Sequence, residues 1–119
     1  MSMYTSFKSK FSFNQRRFES NNILTKYPDR VPIILEKSQG SYMRTIDKHK
    51  YLVPFDTTIG QFMYIIRKKL SLKSDTAIFL FINGIIPPSN QTVIELYERY
   101  KDHDGFLYID YSGENTFGN

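Results

Sequence analysis

The stretch TIGQFMYIIRKKL, residues 58–70, decides the fold. Its apolar residues recur at intervals of three and four, which is the spacing of one face of an α-helix. The members of this apolar stripe are Ile59, Phe62, Met63, Ile66 and Leu70. Thr57 or Thr58 is expected to cap the N-terminus, and the basic residues 67–69 fall in the last turn, where cations stabilise a helix. The pattern predicts an amphipathic helix that packs on one side.

Four strands are predicted around this helix, at residues 31–37, 50–54, 77–82 and 106–111. Pro32 near the start of the first strand indicates an edge or strand-entry position, because proline has no N–H for the ladder. The run AIFLFI, residues 77–82, is apolar on both alternating faces, which predicts a central strand covered on both sides. Asn83-Gly84 predicts a tight turn, and residues 92–100 predict a short helix.

The N-terminal 26 residues contain neither proline nor glycine, and Tyr4, Phe7 and Phe11 have near-helical spacing. We predict two short helices here, the second ending before Pro28, because the residue before a proline avoids the helical region. Four strands wrapped around one long helix predict an α+β fold, the ubiquitin-like β-grasp, with two additional N-terminal helices. The expected organisation is a helical extension (1–26), a β-grasp core (27–112) and a flexible tail (113–119) within one structural domain.

Composition excludes several classes of protein. The 119 residues include no cysteine, which removes disulfides, thiolate zinc sites and a cysteine nucleophile. The longest apolar run is six residues, whereas a membrane span needs about twenty, and no secretory signal is visible. Residues 1–50 carry a net charge of +6 and residues 51–119 carry −2. This basic front half predicts an acidic partner, with solvated surface charge as the open alternative.

No enzyme motif is present: GxSxG, Walker A, GxGxxG and HExxH patterns do not occur. Asp102-His103-Asp104-Gly105 begins like a calcium loop, but Phe106 and Gly113 stand where oxygen ligands are needed. We therefore expect a turn at residues 102–105, no metal or cofactor, and no catalytic activity. His49 and His103 are far apart in sequence and are expected at the surface.

Four segments occur in a specific order: YPDRVPIILEK (27–37), IDKHKYLVP (46–54), IGQF with IRK (59–68), and DGFLY followed by YSGENTFG (104–118). Together they resemble the autophagy-related ubiquitin-like modifiers, which include the GABA-receptor-associated proteins and the microtubule-associated light chains. The resemblance extends from about Phe7 to the C-terminus.

This resemblance implies a protein that is itself processed and conjugated. Family members lose the residues after a C-terminal glycine to a cysteine protease, pass through activating and conjugating enzymes as thioesters, and are joined to phosphatidylethanolamine. The matching glycine is Gly118, preceded by Phe117, and Asn119 would be removed. The implied role is in autophagosome formation, in the cytoplasm and on the autophagosome membrane once lipidated. Phe79 and Phe81 match aromatics used in processing and conjugation contacts, with core packing as the alternative.

The resemblance also implies a groove that binds aromatic-x-x-aliphatic peptides of cargo receptors and adaptors as an added strand beside residues 50–53. The residues matching the aromatic pocket are Glu19, Ile23, Pro32, Ile34, Lys50, Leu52 and Phe106. Those matching the aliphatic pocket are Tyr51, Val53, Pro54, Phe62, Ile65 and Ile66. Those expected to meet acidic residues of the peptide are Arg30, Lys48, Lys50 and Arg67. For Ile34, Phe62 and Ile66, a purely core role stays open.

Two departures put the aliphatic pocket in doubt: Thr57 replaces an aliphatic residue of the family, and Phe55 replaces a small one. Two other functions also stay open. The interleaved residues FKSKF (7–11) suit a basic nucleic-acid-binding module, although no RNA-binding signature occurs. The third possibility is a ubiquitin-like scaffold that is not conjugated.

Overall fold

The computed structural model describes residues 6–114 of the chain. The helices in that range are α1 (Phe7–Lys10), α2 (Phe13–Lys26), α3 (Ile59–Lys69) and α4 (Val93–Tyr100). The strands are β1 (Arg30–Lys37), β2 (Lys50–Pro54), β3 (Phe79–Phe81) and β4 (Leu107–Ser112). The predicted order of elements, including the two N-terminal helices, is confirmed.

Helix α3 is the long helix that the periodicity predicts. Thr58 is its N-cap: the Thr58 side chain accepts a hydrogen bond from the Gln61 N–H, and the Gln61 side chain accepts one from the Thr58 N–H. Four members of the apolar stripe are at most 4% exposed, namely Ile59, Phe62, Ile66 and Leu70. They pack into the main core against the inward side chains of β1 and β4. Burial of this stripe therefore fixes α3 on one face of the sheet.

The four strands form one mixed sheet in the order β2-β1-β4-β3. Strand β1 is antiparallel to β2 and parallel to β4, and β3 is antiparallel to β4. Side chains alternate across the sheet, so Ile33 and Leu107 face α3 in the core, whereas Ile34 and Tyr108 face the opposite side. This arrangement is the predicted β-grasp.

Pro32 does not lie in an edge strand, because β1 is paired on both sides, so that alternative of the prediction is wrong. The Leu35 N–H donates to the His49 carbonyl at 2.8 Å, which places the odd-numbered residues of β1 in hydrogen-bonded pairs with β2. The Pro32 nitrogen consequently points away from β2. On that side the pairing with β4 begins only at Ile33, opposite Leu107. The strand-entry position therefore accommodates the missing N–H.

The predicted central position of residues 77–82 is also wrong. Only Phe79–Phe81 is a strand, and it lies at the edge of the sheet beyond β4. Leu80 is buried in the main core, while Phe81 is 2% exposed and lies on the opposite face. An apolar run on both alternating faces indicates that both faces of a strand are covered. It does not indicate whether the strand has a hydrogen-bonded neighbour on both edges.

Helices α1 and α2 cover the sheet face that is turned away from α3. Phe7 of α1 forms a second apolar cluster there with Ile34 and Phe106, and Ile23 of α2 packs against it. The predicted turns are present, since Asn83 and Gly84 both have positive φ values, 51° and 74°. No helix within residues 6–114 has the length and apolar character needed to cross a membrane.

Candidate functional site

Strand β2 offers an open backbone edge, since the described part of the chain places no strand on its outer side. The odd-numbered residues of β2 pair with β1 through hydrogen bonds, as the contact of the Leu35 N–H with the His49 carbonyl shows. Lys50 and Leu52 form the non-hydrogen-bonded pairs with β1, so their backbone N–H and C=O groups point away from β1 toward the open edge. This edge can accept an extended peptide as a further strand.

The side chains of Lys50 and Leu52 share a sheet face with their partners on β1. Lys50 lies opposite Ile34, and Leu52 lies opposite Pro32. Lys50 is exposed, Leu52 is half-buried, and both β1 partners are buried. Four of the residues predicted for the aromatic pocket are therefore brought together by the register of a single strand pair.

The floor beneath these residues is an aromatic cluster that includes Phe7. The Phe7 and Phe106 rings meet edge to face with their centroids 5.3 Å apart. Ile34 and Phe106 are 0% and 1% exposed, and Ile23 packs on the same cluster. Ile34 and Phe106 thus lie at the bottom of the predicted pocket, and Phe7 is the ring packed directly against them.

A salt bridge connects the two sides of this site. The Lys50 Nζ lies 2.7 Å from the Glu19 Oε2, which joins β2 to α2. Both side chains are partly exposed, so the ion pair contributes little to stability. The same Nζ lies 6.0 Å from the centroid of the Phe7 ring. The Lys50–Glu19 ion pair and the aromatic cluster are therefore adjacent.

The position of α2, which presents Glu19 and Ile23, depends on a buried polar network. The Arg16 Nε donates to the Asp104 Oδ2 at 2.8 Å, and the Arg16 Nη1 donates to the Phe11 carbonyl at 2.7 Å. The Asp104 carboxylate is fully buried and also accepts from the Tyr108 hydroxyl. Burial, together with this hydrogen bond, raises the pKa of Tyr108 above its ordinary value. This network attaches α2 to the turn that precedes β4.

The residues predicted for the aliphatic pocket divide into two groups. Four of them belong to the main core, namely Tyr51, Val53, Phe62 and Ile66. Phe62 and Ile66 are 0% exposed, as is Ile34 in the second apolar cluster. Ile65 is half-buried and Pro54 is exposed. Among the residues predicted for the aliphatic pocket, only Ile65 and Pro54 have side chains with substantial accessible surface.

Thr57 and Phe55, the two departures from the family pattern, lie at the end of β2. Thr57 borders an open cleft together with Ile65 and Tyr64. The Phe55 side chain is 37% exposed, while its carbonyl accepts a hydrogen bond from the Ile94 N–H. Phe55 is therefore partly exposed to solvent at the end of β2.

The four predicted basic contacts have different surroundings. Arg30 and Lys48 are exposed, and the Lys48 Nζ lies 5.0 Å from the centroid of the Tyr51 ring. Lys50 pairs with Glu19, as described above. Arg67 donates from its two terminal nitrogens to the carbonyls of Lys73 and Thr76, both at 2.7 Å. Arg67 thus holds the connection between α3 and β3.

The predicted conjugation residues Phe117, Gly118 and Asn119 lie outside the described residues. Phe79 and Phe81 both lie on the sheet face opposite the main core, with Phe79 half-buried and Phe81 buried. They are therefore not members of the main core, and at least Phe79 retains accessible surface.

Sequence reasoning missed three features of this site. It placed Phe7 on an apolar helix face but did not place it under the aromatic pocket. It read Asp104 only as a turn residue, and the turn is confirmed, with Gly105 at φ +93°. It also did not pair Glu36 with Asp110, which are neighbours across β1 and β4. No local signal predicts these contacts, since each joins residues more than 25 positions apart.

Comparison with known proteins gives consistent results. Autophagy-related protein 8 of Schizosaccharomyces pombe is 54% identical over 116 residues, covering 98% of this chain and 96% of the relative. Autophagy-related protein 8e of Arabidopsis thaliana is 52% identical over 112 residues, covering 94% of this chain and 92% of the relative.

Solved structures agree with the sequence relatives. Plasmodium falciparum Atg8, in complex with a Plasmodium falciparum Atg3 peptide, superposes with a TM-score of 0.88 at 35% identity, covering 96% of this chain and all of that chain. Trypanosoma brucei ATG8 also superposes with a TM-score of 0.88, at 40% identity, covering 97% of this chain and 99% of that chain. The family described as "Autophagy protein Atg8 ubiquitin like" matches residues 15–118. The fold is therefore ubiquitin-like, and the chain belongs to the Atg8 family of ubiquitin-like autophagy proteins.

Proposed function

We propose that this chain is a ubiquitin-like modifier that is conjugated to phosphatidylethanolamine through Gly118 and acts in autophagosome formation. The observation that carries the proposal is family membership with a match that ends at residue 118, the glycine, with one residue beyond it. A processing cysteine protease removes Asn119, and activating and conjugating enzymes then handle the new carboxyl terminus. The chain is cytoplasmic before conjugation and lies on the autophagosome membrane afterwards. It is a substrate and adaptor with no catalytic activity of its own.

The chemistry at Gly118 supports this order of steps. A carboxylate is a poor electrophile, so transfer to the amine of the lipid headgroup requires activation through an adenylate and a thioester. Glycine has no Cβ, so an extended tail that ends in glycine can enter a narrow catalytic channel. The attached lipid supplies two acyl chains, and burial of their CH₂ groups at about 0.8 kcal/mol each is sufficient for stable anchoring.

We further propose that the edge of β2 binds aromatic-x-x-aliphatic peptides from cargo receptors and adaptors. The outward backbone groups of Lys50 and Leu52 would bond the peptide, and its aromatic side chain would enter the pocket above Ile34 and Phe106. The Atg3 peptide bound to Plasmodium falciparum Atg8 supports a peptide-binding surface and a conjugating enzyme among the partners. Because Thr57 and Ile65 border the aliphatic end, we expect that end to contribute less affinity than the aromatic end.

Conjugation is tested with Gly118→Ala expressed in cells, with deletion of Asn119 as the matched control. We expect the lipidated, membrane-pelleting form to disappear in Gly118→Ala and to persist when only Asn119 is deleted. Thr116→Ala, two residues away, controls for nonspecific damage to the tail. Normal lipidated product from Gly118→Ala would overturn the proposal. Full-length protein that never changes mass in cells would favour the unconjugated scaffold.

The groove is tested by calorimetry with one aromatic-x-x-leucine peptide. Leu52→Ala removes part of the pocket wall and should cost about 1–3 kcal/mol, a loss of affinity of about 5- to 150-fold. Tyr42→Ala is the control, since Tyr42 is 97% exposed and lies outside β2. Folded Leu52→Ala that binds as the wild type does would show that β2 is not the recognition site.

Thr57→Leu, measured with the same peptide, tests the aliphatic end. If Phe55 leaves room, we expect tighter binding, because a larger, fully apolar side chain replaces a hydroxyl beside Ile65. Weaker binding would mean that Phe55 already completes the pocket. A parallel titration with oligonucleotides at two salt concentrations tests the nucleic-acid alternative, whose affinity would fall steeply with salt.

A further inference from the structure

The side chain of Tyr42, in the loop between β1 and β2, is directed almost entirely into solvent. It is 97% exposed, more than any other exposed large hydrophobic side chain within residues 6–114. Tyr42 belongs neither to the proposed peptide groove nor to either apolar cluster. A single exposed apolar residue is ordinary on a protein surface, so the surroundings of Tyr42 decide whether it has a use.

The loop that carries Tyr42 is held in place by a buried side chain of β4. The Tyr111 hydroxyl donates to the Arg44 carbonyl and accepts from the Ile46 N–H, both at 2.7 Å. The Tyr111 carbonyl accepts from the Ser38 N–H at 2.8 Å, at the other end of the loop. Because Tyr111 is 0% exposed, these bonds attach the loop to the core, and Tyr42 is presented from a backbone of defined position.

The same loop lies beside the point where the chain leaves the sheet. Strand β4 is followed by Gly113, whose N–H donates to the Ser41 hydroxyl at 3.4 Å. A Cβ at Gly113 would lie 3.2 Å from the Met43 Cγ, so the loop and the end of β4 are in close contact. Gly118 follows five residues later, and five residues span at most about 18 Å when fully extended. A lipid attached to Gly118 therefore keeps a membrane surface within reach of Tyr42.

The charges beside Tyr42 are complementary to an anionic surface. Arg44 is exposed, and its Nη2 donates to the Lys69 carbonyl at 2.9 Å. This bond brings the guanidinium to the C-terminal end of α3, where Lys68 and Lys69 are exposed as well. A guanidinium has five N–H donors, so one bond to a carbonyl does not exhaust its capacity to bind a lipid phosphate. Glu114, exposed just after the end of β4, is an opposing carboxylate on this side.

We propose that Tyr42 and Arg44 form a membrane-contacting surface, which seats the conjugated protein on anionic phospholipid headgroups. The Tyr42 ring enters the interfacial region, where tyrosine is favoured because it combines an apolar ring with a polar hydroxyl. Arg44 binds lipid phosphates, and each basic side chain near an anionic membrane contributes about fivefold in affinity. The proposal rests on the proposed conjugation at Gly118, because a tether makes the contact intramolecular and so allows weak interactions to populate it.

The test uses Tyr42→Trp in the full chain, which has no tryptophan, so the indole is a unique fluorescent probe. The chain also has no cysteine, so Gly118→Cys supplies a single thiol. That thiol is coupled to maleimide-bearing phosphatidylethanolamine in vesicles of phosphatidylcholine and phosphatidylserine. We expect bromine-labelled lipid to quench the indole of the tethered protein. Phe18→Trp is the matched control and should stay unquenched, since Phe18 is 61% exposed on α2, where Arg17 bonds the His103 carbonyl at the opposite end of β4.

Adding Arg44→Gln to Tyr42→Trp should lower the ratio of membrane-bound to free loop about fivefold. An unquenched indole in Tyr42→Trp, equal quenching in Phe18→Trp, an unchanged ratio in Arg44→Gln, or equal quenching on phosphatidylcholine alone would overturn the inference. The thiol tether needs no enzyme, so the result is independent of conjugation, which is assayed on the wild type in cells. Conjugation in cells without quenching in Tyr42→Trp would refute this surface and leave the proposed function standing. Quenching without conjugation would do the reverse.

Discussion

Asp104→Asn removes the negative charge from the buried ion pair that attaches α2 to the turn before β4. The Asp104 Oδ2 accepts from the Arg16 Nε at 2.8 Å and from the Tyr108 hydroxyl, while its Oδ1 accepts from the Phe106 N–H. An asparagine that keeps its oxygen on the Phe106 N–H turns its NH₂ group toward the Arg16 Nε–H. The substitution therefore places donor against donor and leaves the Arg16 charge without its counterion.

The expected cost follows from burial. The side chains of Arg16 and Asp104 are 10% and 0% exposed, so water cannot replace the lost partner. Breaking a buried pair by removing one charge costs about 3–5 kcal/mol, whereas a domain has only about 5–15 kcal/mol of stability. For urea, with a slope of about 1–3 kcal/mol per molar, the unfolding midpoint should fall by about 1 M or more.

Lys8→Gln provides the matched control, because Lys8 forms a salt bridge to Asp102 in the same turn. Its Nζ–Oδ1 distance is 2.6 Å, but the two side chains are 49% and 24% exposed. An exposed pair of this kind is worth about 0–1 kcal/mol. Urea unfolding followed by circular dichroism measures both variants. If Asp104→Asn loses no more stability than Lys8→Gln, the buried pair does not hold α2 and the reasoning fails.

Three further variants test separate features. The Tyr51 hydroxyl is buried without a hydrogen-bond partner among the described residues. Tyr51→Phe should therefore leave the free energy of unfolding unchanged or raise it by about 1 kcal/mol. A clear loss of stability in urea unfolding would contradict this. Gly105 has φ +93°, and a Cβ at this position would collide with the Ser20 side chain. Gly105→Ala should therefore lower the melting temperature. An unchanged melting temperature would show that α2 can shift to make room. Because folding raises the pKa of Asp110 to about 6, its contribution to stability is greatest below pH 4 and is lost as pH rises through 6. Asp110→Asn should remove this part of the pH dependence, and an identical dependence of the urea midpoint in wild type and variant between pH 4 and 7 would refute it.

Local patterns predicted each element because helices and strands have short periods. The apolar spacing of residues 58–70 identified α3 and its cap at Thr58, and Asn83-Gly84 identified its turn. The order of these elements was enough to predict a β-grasp. The two errors, on the position of Pro32 and of residues 77–82, both concern which strand lies beside which. Alternation along a strand describes the coverage of its faces and carries no information about its edges.

The candidate site was predictable only in part, because local patterns do not show which elements lie beside one another. Residue-by-residue resemblance named the pocket residues that the β1–β2 register brings together, such as Leu52 opposite Pro32. It did not place Phe7 against Ile34 and Phe106 or indicate that Arg67 is used to hold a loop.

The sequence by itself thus determined the elements, their order and the resemblance to the Atg8 family. Only the tertiary structure decided that Glu36 meets Asp110 and that Arg16 meets Asp104, contacts that span 74 and 88 positions. Such contacts depend on the strand order and on where the N-terminal helices dock. Both are settled by burial of apolar surface over the whole domain, because the free energy that selects one arrangement is shared among residues distant in sequence.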